Sequence, residues 1–101
     1  MDRREELHEI LCNVLGSRNV YFQPPESVRM DYPAIKYSRN DVNAMHADNE
    51  NYIHQVGYTV IVIDRDPDSQ IVEKVCNLPK CGFDRHYTSD NLNHDVFTLY
   101  Y

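Results

Sequence analysis

Residues 57–79 constrain this chain more than any other stretch, because they run a strand directly into a helix. Tyr58, Val60 and Val62 fall on one face of the strand and Gly57, Thr59, Ile61 and Ile63 on the other, continuing an alternation that starts at Tyr52 and Ile53. The second half is apolar on both faces. Such a strand belongs at the centre of a sheet, with helices over one side and some other layer over the second. In so short a chain that layer is expected to be a neighbouring subunit. Asp66 then reads as a helix N-cap with Pro67 as the first helical residue and Asp68 in the first turn, complementing the helix dipole. Ile71, Val72, Val75, Cys76 and Leu78 make the buried stripe, and Pro79 ends the helix.

The flanking segments build around this centre. Leu7, Ile10, Leu11, Val14 and Leu15 give residues 2–15 the spacing of an amphipathic helix, with Asp2 and Glu5 as a capping pair and Gly16 as the stop. Residues 19–22 are a short strand, confined to an edge by Gln23-Pro24-Pro25. Residues 34–39 alternate Ile35 and Tyr37 against Lys36 and Ser38, a strand with one wet face. Residues 40–51 are polar without either period and read as a loop. Residues 82–88 alternate Phe83, Arg85 and Tyr87 against Asp84, His86 and Thr88, and residues 90–93 turn the chain back into a strand over 94–101. The order αβββαββ predicts a single α+β domain over residues 1–101: a mostly antiparallel sheet of four to five strands with two helices on one face.

Sixteen acidic against ten basic side chains give a net charge of -6, which argues against a surface that grips nucleic acid by neutralising phosphates. The three cysteines, Cys12, Cys76 and Cys81, with no secretory pattern at the start of the chain, read as reduced and intracellular. Cys12 and Cys76 sit on the apolar faces of the two helical patterns, as small hydrophobes. No apolar run is long enough to span a bilayer. Eight tyrosines suit strands and half-wet contact surfaces.

Candidate chemistry is sparse. Asp64 and Asp66 at a strand's end suit a Mg²⁺ site, yet Asp-Pro-Asp-Ser is ordinary turn and cap chemistry. The element order is also that of restriction-endonuclease-like nucleases, so a small metal-dependent nuclease is the alternative reading. Such an enzyme needs a Glu-x-Lys pair on a strand, whereas Glu73 and Lys74 are adjacent and helical. Cys76, Cys81, His86 and His94 are zinc-compatible types at an unsuitable spacing. Cys81 with His86 lacks an activating signature for a nucleophile. His8 and His46 read as surface residues, and His54 as packed on a strand face. No glycine-rich phosphate loop can be built from Gly16, Gly57 and Gly82. The expectation is a protein without catalytic, metal-binding or cofactor-binding residues.

Asn19-Val-Tyr-Phe-Gln-Pro-Pro-Glu-Ser27, Tyr32-Pro-Ala-Ile-Lys-Tyr37, the run from Tyr58 to Ser69 and the close from Asp90 to Tyr101 together resemble the tail terminator or tail-completion proteins of long-tailed bacteriophages and prophages. The resemblance implies an α+β protein of the virion, made in the host cytoplasm, that assembles as a hexameric ring at the head-tail junction. Such a ring caps the tail tube, stops its growth and docks the head connector, while DNA passes through the lumen without specific binding. The implied partners are further copies of the chain, the tail tube protein and the head-completion or connector protein, with no membrane and no cofactor. Another connector or stopper protein of the same junction is the nearest alternative. The residues expected to meet a ring neighbour or partner are Arg39, Asp48, Tyr52, Tyr58, Arg65, Arg85, Tyr87 and Tyr100. Arginine suits this role because its planar fork pairs with carboxylates across an interface.

Overall fold

A computed structural model describes residues 3–40 and 56–101. Among them are two helices and five strands in the order α1 (Arg3–Leu15), β1 (Val20–Phe22), β2 (Ala34–Arg39), β3 (Gly57–Asp64), α2 (Gln70–Cys76), β4 (Cys81–Ser89) and β5 (Leu92–Tyr100). The strands form one sheet in the order β1-β2-β3-β5-β4. Only β1 and β2 run parallel, and the other neighbours are antiparallel. This is the expected α+β fold, with β3 at the centre.

The helix α1 follows its apolar period. Leu7, Leu11 and Cys12 are buried, while Ile10, Val14 and Leu15 are half-buried at the margin. Gly16 stops it with φ at +84°, donating its N–H to the Cys12 carbonyl at 2.8 Å. A left-handed residue after the last turn is where glycine is favoured, since it has no Cβ to clash.

The start of α2 differs from expectation. Ser69, not Asp66, is the N-cap, and its Oγ accepts from the Ile71 N–H at 3.2 Å. Asp66 and Pro67 belong to the preceding turn, in which Asp64 Oδ1 accepts from the Asp66 N–H and Asp66 Oδ1 from the Asp68 N–H. Short acidic side chains capture backbone donors two residues on, and this delays the helix until the serine. The later start leaves seven residues, with Val75 fully buried and Ile71 and Val72 half-buried. Cys76 is exposed rather than on the apolar stripe, because it sits one residue past Val75 and is turned away from the sheet.

The core lies between the helices and one sheet face. Leu7, Leu11 and Cys12 from α1 and Val75 from α2 pack with Val20, Ile35, Tyr37, Tyr58, Val60, Val62, Phe97 and Leu99. The second face of β3 is only partly wet. Ile63 is buried, as are Ala34 and Val96, which belong to the same face by register, while Thr59 and Ile61 are half-buried. The chain therefore shelters part of its second face by itself, and the expectation that a neighbour covers it is corrected to that extent.

At β4 the predicted alternation breaks. Phe83 lies opposite Phe97 and Arg85 opposite Val96, so an extra residue, Asp84, is inserted between them. The bulge sends Phe83 to the helix-side face and leaves Arg85 and Tyr87 on the other, where the sequence pattern had put all three together. Residues 41–51, expected as a loop, and 52–55, expected to begin β3, lie outside the described residues.

Candidate assembly surface

The expected contact residues fall into separate groups. Arg39 is exposed at the end of β2, where its N–H donates to Gln23 Oε1 at 3.1 Å. Its cross-strand neighbour Tyr58 is buried at 3% exposure, edge-on to Tyr37 with ring centroids 5.9 Å apart. Tyr58 is thus a core residue and not a contact residue. Tyr100, half-buried, sits beside Gly57 at the same end of the sheet, and a Cβ at Gly57 would lie 3.1 Å from its ring. Arg65 is at the opposite end, exposed, with its guanidinium 5.7 Å from the Tyr32 ring centroid. Arg85 is exposed and pairs loosely with Asp84 at 3.6 Å. Tyr87 is 40% exposed and stacks on His94 at 4.7 Å between centroids. Asp48 and Tyr52 lie outside the described residues.

Two surfaces emerge. The first is the helix-free face of the sheet, where Lys36, Ser38, Thr59 and Ile61 with Gln23 and Pro24 line a shallow cleft of about 150 Å³. The second is β4. Every residue of it from Gly82 to Ser89 is exposed, and it carries Phe83 and Tyr87, the exposed large apolar side chains among the described residues.

Burial, with a smaller contribution from Cys76, pushes the Cys81 thiol up to about 11, the opposite of what a thiolate nucleophile needs. His86 Nδ1 meets Asp95 Oδ1 at 2.8 Å, on the face opposite to that of His94. No cluster of three His, Cys, Asp or Glu side chains among the described residues could hold a metal ion. No described helix is long and apolar enough to cross a membrane.

One cluster escaped the sequence reading. His8 is not a free surface residue: its Nδ1 lies 2.8 Å from the Tyr37 hydroxyl, to which Arg4 Nη1 also donates at 3.3 Å. The guanidinium can only donate, and the hydroxyl can donate in turn to His8 Nδ1 when the neutral imidazole carries its proton on Nε2. Burial first, then Arg4 and Arg18, hold the His8 pKa below its ordinary value. The cluster depends on how α1 lies across β2, and no local motif encodes that.

No family model matches the chain, and neither a curated protein nor a solved structure does.

Proposed function

We propose that this chain is a non-enzymatic assembly protein of the phage tail-terminator kind, forming a ring at the head-tail junction that ends the tail tube and receives the head connector. The observation that carries this reading is the helix-free face of the sheet, where the half-buried Ile61 of the central strand sits among Lys36, Ser38 and Thr59. An apolar residue at the middle of a polar-rimmed sheet face suits a subunit contact. The net charge of -6 suits a lumen through which DNA slides without adhering. The acidic side chains that a nuclease would use, Asp64 and Asp66, instead accept backbone N–H groups in a turn.

The test is negative-stain imaging and light scattering of the purified protein, alone and with tail tubes. The expected species is a closed ring of about six protomers that seats on tube ends. A strict monomer, both free and with tubes, would exclude it.

A further inference from the structure

The two edges of the sheet differ in how open they are to a further strand. Among the described residues the sheet has two edges, β1 and β4. The first is three residues long and runs into Gln23-Pro24-Pro25, which closes it to a further strand. The second is nine residues long and free of proline.

Which backbone groups of β4 face outward follows from its hairpin. Asp90 and Asn91 both have positive φ, 53° and 64°, and form the two-residue turn between Ser89 and Leu92. In such a turn Ser89 and Leu92 are the hydrogen-bonded pair, and bonded pairs alternate along an antiparallel ladder. Arg85, Tyr87 and Ser89 therefore turn their N–H and C=O groups to β5, while His86 and Thr88 turn theirs to the open side.

The bulge at Asp84 interrupts this edge on one side and the turn ends it on the other, leaving residues 85–89 as the regular stretch. Two antiparallel copies related by a two-fold axis place some residue opposite its own copy. With the axis at Tyr87, all five residues pair: Arg85 with Ser89 of the second copy, His86 with Thr88, and Tyr87 with Tyr87. The two His86–Thr88 pairs then exchange hydrogen bonds through the outward groups. Tyr87, already stacked on His94, meets its copy on the helix-free face at the closer, non-bonded spacing. Within residues 85–89 this register opposes no like charges, whereas an axis at Asp84 or Arg85 would; one residue further out it brings Asp84 near Asp90 of the second copy, so salt should tighten the contact.

We propose that two copies of this chain associate antiparallel through residues 85–89 of β4, joining their sheets into one. The contact is self-complementary and closes at two copies, so it is distinct from the head-to-tail contacts that a ring needs, and either can fail alone.

Sedimentation across a concentration series tests it on the wild type, Thr88→Pro and Tyr87→Glu. Proline at an outward-facing edge position removes only the intermolecular donor, and Tyr87→Glu sets two carboxylates across the axis. The expected result is a wild-type dimer, or an assembly of dimers, whose two-fold dissociation weakens about tenfold or more in each variant. A monomer up to about 1 mM, or assemblies that both variants leave unchanged, overturns the proposal. Amide exchange on the wild type gives an answer even where a variant unfolds. The His86 and Thr88 amides become protected as concentration rises, while Tyr87 and Ser89 stay protected throughout. Fast exchange of His86 and Thr88 at every concentration also overturns the proposal.

Discussion

Tyr37 joins three parts of the molecule through one hydroxyl. Its ring packs against Phe22 and Tyr58, and its oxygen ties Arg4 and His8 of α1 to β2. A neutral His8 with its proton on Nε2 offers Nδ1 as an acceptor to the Tyr37 hydroxyl, and adding a proton there takes that acceptor away. His8 is held below its ordinary 6.5 in the folded chain, so the unfolded chain binds the proton first. Stability from this group is present above pH 6.5 and is lost as pH falls through the lowered folded value. Urea unfolding midpoints measured from pH 7.5 down to about 5 should fall in the wild type, and His8→Gln should flatten that slope. An unchanged slope in His8→Gln would assign it to other groups. Tyr37→Phe should cost about 1 kcal/mol through the lost hydrogen bonds, read from the same curves at pH 7.5. Gly16→Ala, at φ +84°, should cost about 1 kcal/mol for the left-handed backbone, although open space surrounds the position.

The elements differ in how openly the sequence writes them. α1 and β2 were legible from a buried face with a clean period, Leu7 and Leu11, Ile35 and Tyr37, and β3 from a run of β-branched residues whose helix-side face, Tyr58, Val60 and Val62, is fully buried. The start of α2 was not, because Asp66-Pro67 and Ser69 are both good starting signals and the choice between them depends on where the Asp64 and Asp66 side chains find donors. The bulge in β4 was also invisible. Asp84 suits either a regular exposed position or an extra residue, and only the pairing of Phe83 with Phe97 decides. The expected contact residues divide. Arg39, Arg65 and Arg85 are exposed, whereas Tyr58 lies on the buried face that its alternation with Val60 and Val62 already marks, and so belongs to the core. The α2 assignment has a direct check. Ser69→Ala should destabilise by about 1 kcal/mol, and Asp66→Ala by less, since it loses a turn bond exposed to water. The reverse ranking in denaturant unfolding would return the cap to Asp66.

At the scale of the whole molecule, the two sheet faces have unequal roles. The helix-side face supplies the main core, and Leu11 and Phe97 there are fully buried. The other face buries Ala34 and Ile63 at one end and Val96 beside Ile61, and leaves Ile61 and Thr59 themselves half-open at its middle. Substitutions should separate along this line. Leu11→Ala should cost about 2–5 kcal/mol, as truncation in a closed core does, and any loss of assembly would then follow from loss of fold. Ile61→Lys puts a charge on a half-open surface beside Lys36, its cross-strand neighbour. The folded monomer can hydrate that charge, so its thermal midpoint should move by only a few degrees, on the order of 1 kcal/mol. An interface that must desolvate the same charge cannot accommodate it without a paired carboxylate. Ring or multimer formation should therefore be lost in Ile61→Lys while its circular dichroism stays that of the wild type. If Ile61→Lys assembled as well as the wild type, the helix-free face could not be the subunit contact. The assembly reading would then have to rest on another part of the surface.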